Sequence, residues 1–452
     1  MLAGLSVPGV VRFAGPRSDR WNFEPRVGLA WSPSSSSHTV VRGGFGIVYD
    51  ALNAGASLLT PDMVVATVPG GVNTPGFLGS GGLKAPTTAA GAVGSFAQLH
   101  QELPYILYWN GAVSHGFAGR LATEIKYMGH HGVNLPLESF LAPTPVTAVS
   151  SLPVFLTTPD ATTLASLTTT QSGLATTPTP FTSAGFTNSI LTFNPAGNSW
   201  YNAAAFKVSE TFTAGTQIMA EYTYQDLRSN ATGTPLDLAF GNRSEQLPWN
   251  QKHRATITPI VDVASMLPQS SGVLRDVVAN LSIMSTLTYA RGSRIPLFSP
   301  IDTGFTGSGV GTGVFVDPNG IPGMGSGTTP LTNASGQVVG FVATNPGAQF
   351  VSGAPGTFST ARPVMRLADT RNWDLSIVKR FSAPERAKIE VRGDAYNVLN
   401  HPQFTGVPIS TLGSPMHTLP SFLVPNSTLF GNMSGTLSGN PRTIQLALRV
   451  MF

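Results

Sequence analysis

Thr443-Ile-Gln-Leu-Ala-Leu-Arg-Val-Met-Phe452 is the stretch on which the reading of the fold turns. Ile444, Leu446, Leu448, Val450 and Phe452 occupy one phase of a period-two pattern, and Thr443, Gln445 and Arg449 occupy the other. A strand points alternate side chains to opposite faces, so this segment carries one wholly apolar face and one mostly polar face. At about 3.3 Å per residue, a tilted strand of this length crosses an apolar band of about 25 Å. Phe452 ends the chain on the apolar phase, where a bilayer interface holds an aromatic ring.

The composition agrees with a wall that meets lipid. Charged residues make up 11% of the chain, against about 25% in ordinary soluble domains. Hydrophobic residues make up 41%, too many for a disordered chain. Apolar runs such as Tyr105–Trp109 fall far short of the roughly 18 residues that a membrane helix needs. In lipid every backbone N–H and C=O must be paired, so only helices and closed barrels span it. With no cysteine, disulfides and thiolate metal sites are excluded. The net charge of +4 is small and its Lys and Arg residues are scattered, so no nucleic-acid partner is expected. Met1-Leu-Ala-Gly-Leu5 lacks a basic start and an apolar stretch, and no signal peptide is expected there.

Period-two segments recur at Arg26–Ser32, Thr39–Asp50, Tyr105–His115, Arg120–Gly129, Tyr201–Glu210, Thr216–Gln225, His253–Val263, Val277–Arg291, Asn372–Phe381, Lys388–Leu399 and Thr443–Phe452. In the eighth, Val277, Ala279, Leu281, Ile283, Leu287 and Tyr289 share a face, with Asn280, Ser282, Thr286 and Thr288 on the other. The connections alternate in length. Pro33–His38, Gly116–Gly119, Thr211–Gly215, Ala264–Asp276 and Ser382–Ala387 are short. Ala51–Pro104, His130–Trp200, Asp226–Lys252, Gly292–Arg371 and Asn400–Arg442 are long. Outer-membrane barrels have short periplasmic turns and long extracellular loops, whereas a soluble sandwich has no reason to sort its loops this way. The fold class expected is all-β: an antiparallel transmembrane barrel wall of about eleven strands with long extracellular loops. If Phe452 ends at the periplasmic side, the first strand also descends. An odd count that begins with a descending strand suits a partial, open barrel, because single-chain bacterial barrels have even strand numbers.

Several segments, taken in order, resemble one family. Asn22-Phe-Glu-Pro-Arg-Val-Gly-Leu-Ala-Trp31 and Val40-Val-Arg-Gly-Gly-Phe-Gly-Ile-Val-Tyr-Asp50 are similar to the mid-barrel region of Oar-like TonB-dependent receptors. Trp109-Asn110, Glu124-Ile-Lys-Tyr-Met-Gly-His-His-Gly132, Trp200-Tyr-Asn-Ala-Ala-Ala-Phe-Lys207, Tyr222-Thr-Tyr224 and His253-Arg254 continue the likeness. Trp373-Asp-Leu-Ser-Ile-Val-Lys379, Asn397-Val-Leu-Asn-His-Pro-Gln-Phe404 and the terminal strand complete it. The resemblance implies a receptor with a barrel of about 22 strands and an N-terminal plug. It also implies a TonB-contacting segment and, in this subfamily, a carboxypeptidase-regulatory-like domain. Residues 1–452 would then be the C-terminal part of the barrel, with 1–25 a loop tail and 26–452 strands and loops. Its partners would be outer-membrane lipid, the N-terminal barrel half and plug, the TonB system and a solute of unknown identity.

Arg42, Glu124, Lys126, Lys207, Glu221, Arg254, Glu390 and Arg392 lie opposite the apolar phase or near strand ends. Charges facing lipid are costly, so these residues are expected to face the lumen, either contacting a plug or solute or serving as a hydrated wall. Phe452 is the expected barrel-assembly signal. His130-His131 and His401 have no third ligand at metal-binding spacing; His130-His131 is expected to begin a surface loop, and neither metal nor cofactor is expected. Tyr105, Trp109, Tyr127, Tyr222, Trp373 and Tyr396 read as girdle or wall aromatics. The chain has no G-x-S-x-G, G-K-[ST], H-E-x-x-H or G-x-G-x-x-G, and Gly304–Gly327 lacks the Lys-Ser/Thr of a phosphate loop, so no enzyme is expected. Two functions fit: energised uptake of a large solute, or surface adhesion through the long Thr/Ser/Gly loops. An autotransporter would need a passenger block, and the strand pattern begins too early to leave room for one.

Overall fold

The computed structural model of the chain describes residues 21–34, 38–50, 95–97, 102–117, 120–140, 150–175, 191–213, 215–231, 245–246, 250–267, 272–297, 299, 314–359, 361, 363–382, 388–408, 421–433 and 436–451. Phe452 and residues 1–20 of the expected loop tail lie outside them.

Each of the expected strands forms. They are β1 (Arg26–Trp31), β2 (Thr39–Tyr49), β3 (Tyr105–Phe117), β4 (Leu121–Phe140), β5 (Leu191–Thr213), β6 (Thr216–Ser229), β7 (His253–Asp262), β8 (Leu281–Ala290), β9 (Thr370–Ser382), β10 (Lys388–Tyr396) and β11 (Thr443–Met451). They pair in sequence order as one antiparallel meander from β1 to β11. Among the described residues β1 pairs only with β2, and β11 only with β10, so the wall has two open edges.

Directly opposed residues share a face, so the register carries the phase of one strand across the whole wall. Leu446 faces Gly393, Gly393 faces Ile377, and Ile377 faces Ile283. On the same face Ile257 lies between Leu287 and Ala220, Phe206 between Tyr222 and Ile125, and Val113 between Ile125 and Val41. Val27, Leu29 and Trp31 end the series on β1. This face is apolar and uncovered: Leu446 is 82% exposed, Leu448 70%, Ile125 63% and Ile257 45%. A soluble sandwich would have packed these side chains into a core; an apolar face this extensive is solvated by lipid. Gln445 and Arg449 face Asp394 and Glu390 on the opposite side.

Charges on the apolar phase include Glu210, Asp226, Arg228, Arg371 and Lys379, and two of them have local reasons. Glu210 lies beside the tight turn between β5 and β6. Lys379 sits near the short-connection rim, where its Nζ donates to the Val277 and Ala279 carbonyls at 2.8 and 2.5 Å. A lysine stem can lie along apolar surface while its ammonium reaches out of it.

Three expectations need correction. Val277 and Ala279 are not in a strand: Gly272–Val278 is a short helix, and Asn280, at φ 57°, turns the chain into β8. Asparagine tolerates this left-handed conformation because its side chain can satisfy the backbone locally. His130 and His131 do not begin a loop. β4 continues to Phe140 against a β5 that starts at Leu191, past a register shift at Asn134, where φ is 60°. At about 3.3 Å per residue this ribbon outreaches the membrane band. Short parallel ladders occur, at Ser95–Ala97 with β5, Ile321–Ser326 with Ala348–Val351, and Val154–Phe155 with Val338–Ala343, all off the path of the wall. Tyr396, read as a girdle or wall aromatic, stands in the wall and faces Thr443 on the polar phase.

Among the described residues, three of the long connections carry structure of their own. Helices Ala161–Ser166 and Gln171–Ala175 lie in the one after β4, and small sheets fill the one after β8. Leu152, Phe341 and Ala354 form one buried cluster, with Leu174 and Val154 against it. Leu297, Val314, Phe422 and Leu423 form another. Three long connections, those after β4, β8 and β10, therefore pack on each other at one rim. In the hairpin between Thr328–Thr332 and Val338–Ala343, Asn333 Oδ1 accepts from the Ser335 and Gln337 amides, the Asx geometry that favours a turn.

Gly129 illustrates how tightly the wall is packed. It lies directly opposite Trp109, and a Cβ built on it would run into the indole. Gly129→Val is expected to lower stability by about 1–3 kcal/mol as Trp109 is displaced. Its urea midpoint, followed by tryptophan fluorescence, should fall below that of the parent protein; an unchanged midpoint would refute the packing argument.

Candidate functional site

The polar face of the wall is the candidate site. The register places Arg42, Glu124, Lys126, Lys207, Glu221, Arg254, Glu390 and Arg392 all on this face, each on the phase opposite the exposed apolar side chains. They do not form one cluster. Glu124, Lys207 and Glu221 are consecutive members of one cross-strand row running through β4, β5 and β6, with charges alternating in sign. Thr256 and then Thr288 extend the row on β7 and β8, and Ser114 extends it on β3. Ser114 Oγ donates to Glu124 Oε2 at 2.8 Å, and Arg42 Nη1 lies 3.8 Å from the same oxygen. Lys126 faces Ala112, the residue that also faces Arg42. Arg254 stands apart on β7, opposite Thr223 and Ala290.

Glu390 and Arg392 belong to a second group near the other end of the wall. Glu390 lies between Arg380 on β9 and Arg449 on β11, and Arg380 Nε donates to its Oε2 at 2.8 Å. Arg392 Nε lies 2.9 Å from both carboxylate oxygens of Asp394, which is 7% exposed. Arg380 and Asp394 are members of this group that sequence reading did not single out. Their signal was available, since both lie on the same period-two phase as Glu390.

At the long-connection rim of the apolar face, aromatic rings gather. Tyr49 and Tyr105 have centroids 5.3 Å apart, and His131 stacks on Trp200 at 5.3 Å. Tyr222 and Tyr224 both approach His253, the Tyr222 hydroxyl lying 2.7 Å from His253 Nδ1. Aromatic side chains collect at membrane interfaces because one end of each ring is apolar and the other wet. His130 lies on the polar face, 5.3 Å from the Tyr201 ring. Among the described residues no group of three or more His, Asp or Glu side chains is placed to hold a metal.

Residues 3–445 match the family described as outer membrane beta barrel domain. The chain belongs to this family. Membership agrees with the apolar outward face, the sequential antiparallel pairing and the sorted connections, and it places the chain in the outer membrane of a Gram-negative cell. No curated protein is similar enough in sequence to count as a relative. Solved structures similar to this family member include the outer membrane transporter YddB from Escherichia coli, 10% identical, covering 95% of this chain and 40% of that one at a TM-score of 0.44. The ferripyoverdine receptor of Pseudomonas aeruginosa is 10% identical, with 96% and 33% covered and a TM-score of 0.43. The FrpB iron transporter from Neisseria meningitidis is 10% identical, with 95% and 39% covered and a TM-score of 0.42. The chain thus spans between 33% and 40% of the length of these proteins.

Proposed function

We propose that this chain is the C-terminal part of the barrel of an Oar-like TonB-dependent receptor, which takes up a large solute with energy delivered through TonB. The observation that carries the reading is a strictly sequential wall that, among the described residues, has two open edges and three long connections packed together at one rim. Open edges leave rows of unpaired N–H and C=O groups, a state lipid does not tolerate, so further strands must complete the wall. The collinear sequence motifs supply the subfamily. In the completed barrel Arg42, Glu124, Lys126, Lys207, Glu221, Arg254, Glu390 and Arg392 line the lumen. There the row Glu124–Lys207–Glu221 and the group around Glu390 offer charges of both signs to a plug or a passing solute. Residues 1–25 are the tail of an extracellular loop, and Phe452 is the terminal signal for barrel assembly.

The packed loop cap also suits a second reading, adhesion to a surface partner. Uptake and adhesion separate on their energy requirement: uptake stops when the TonB system is deleted, while adhesion persists. The barrel reading has its own test. Expressed alone, residues 1–452 are expected to be insoluble, and to become a folded, heat-modifiable membrane species only when co-expressed with the preceding part of the same protein. Monodisperse insertion of the isolated chain into outer-membrane vesicles, or a hydrogen-bonded ladder between β1 and β11, would overturn it.

A further inference from the structure

The connection between β7 and β8, at the short-connection rim, carries two pieces of helix, the tight turn Val263–Met266 and the helix Gly272–Val278. The wall holds it near both ends from the outward phase. Thr216 shares the phase of Ile218 on β6, which faces lipid. Its Oγ1 lies 2.8 Å from Ser265 Oγ and accepts from the Asp262 amide at 3.1 Å. Thr216 is 4% exposed, because the start of the connection covers it. Near the other end stands Lys379, opposite Leu281 on the apolar phase, its Nζ donating to the Val277 and Ala279 carbonyls. Carbonyls at a helix C-terminus lack partners within the helix, so this ammonium caps Gly272–Val278 from the lipid side. The same ammonium lies 5.4 Å from the Phe381 ring, on the same phase.

Between these two ties the segment presents large apolar side chains. Val273 is 80% exposed, Met266 65% and Val277 64%. Val273 and Val277 are four residues apart in a helix and share one face, with Arg275 on the opposite one. The open edges at β1 and β11 do not account for this exposure, because β7 and β8 lie inside the wall with partners on both sides. The apolar surface is continuous with the lipid-facing one: Leu281 and Ile283 of β8 and Ile377 of β9 carry it on from the end of the helix. The rim is that of the short connections, which face the periplasm.

We propose that the β7–β8 connection is an interfacial foot, seating Met266, Val273 and Val277 at the headgroup–acyl boundary of the phospholipid leaflet on the periplasmic side. An amphipathic helix lies in that plane with its apolar face buried about 5–10 Å into the boundary and its charged face in water. A plug inside the barrel would have to reach these side chains from the lumen, whereas Thr216 and Lys379 hold the connection from the lipid side. The foot fixes the height of β7 and β8 in the bilayer. It does not depend on what the barrel transports.

The chain contains no cysteine, so one introduced thiol is unique within it. Val273→Cys is made in the complete protein that carries this chain, with any cysteine elsewhere replaced. It is labelled with a nitrobenzoxadiazole fluorophore and reconstituted into vesicles of phosphatidylethanolamine and phosphatidylglycerol. The reference is the same label on Ser335→Cys, in the exposed turn of the hairpin between Thr328–Thr332 and Val338–Ala343. At Val273 the emission is expected to lie about 10 nm or more to the blue of the reference, with about threefold less quenching by iodide. Lipid carrying a nitroxide near its headgroup should quench the Val273 label more than lipid carrying it near the chain end. Emission and iodide quenching equal to those at Ser335 would leave the segment in water and overturn the foot. A blue shift without quenching by either lipid would mean that protein covers Val273, and would overturn it too, as would stronger quenching from the chain end. Should Val273→Cys fail to fold, a label on Met266→Cys gives the same readout.

Discussion

Asn397→Ala is expected to lower the stability of the folded wall by about 3 kcal/mol or more, the largest single-residue effect expected outside the apolar face. Asn397 is 1% exposed and lies just past the end of β10. Its Oδ1 accepts from the His401 amide at 3.0 Å, and its Nδ2 donates to the carbonyls of His401 and Asn440 at 3.0 and 2.6 Å. Its own amide donates to Asp374 Oδ1 at 2.8 Å. The side chain thereby ties the end of β10 to the start of β11 and the backbone amide ties it to β9, where Asn397-Val-Leu-Asn-His-Pro402 leaves the wall. Truncation leaves three backbone groups without this partner, each costing about 1–3 kcal/mol if they stay buried. The residue also holds φ at 49°, which alanine adopts only at a cost of about 1–2 kcal/mol. Asn397→Gly removes that strain and keeps the hydrogen-bond loss, so it should fall between parent and alanine variant. The measurement is the urea midpoint of the gel-mobility shift that distinguishes folded from unfolded barrel. An alanine variant within about 0.5 kcal/mol of the parent would show that the knot does not stabilise the wall.

Ile257→Arg and Thr256→Arg should differ sharply although they are neighbours. Ile257 is on the exposed apolar face of β7, between Leu287 and Ala220. An arginine there faces lipid near the middle of the strand, at a cost of about 2–4 kcal/mol. Thr256 is on the polar face, opposite Glu221, so an arginine there meets water and a carboxylate. Its effect should stay within about 0.5 kcal/mol. Reversible urea unfolding of the complete protein in phospholipid vesicles reads both. Equal costs, or the reverse order, would mean that the apolar face does not meet lipid.

The two predictions draw on different levels of the chain's organisation. Phase is local: alternation in Thr443–Met451 or His253–Asp262 sets each side chain on one face or the other whatever the strand pairs with. For that reason the wall strands and the apolar and polar phase of each could be read in advance. Loop lengths are equally local, and their alternation distinguished the barrel from a sandwich.

What alternation does not contain is register and everything that depends on it. Glu124, Lys207 and Glu221 are 83 and 14 residues apart in the chain, and only the offsets of the intervening connections make them neighbours in one row. The tertiary structure likewise decided that Val277 lies in a helix, with Asn280 turning the chain into β8, and that β4 and β5 run on past Asn134 after a bulge. It gathered Leu152, Phe341, Phe422 and Leu423 into the cores of a loop cap, although the sequence around each of them is rich in Thr, Ser, Gly and Pro. The sequence alone determines which face each strand residue takes, since a two-residue repeat needs no partner. Which residues meet is decided by strand pairing and loop closure between distant segments, and those are properties of the folded chain.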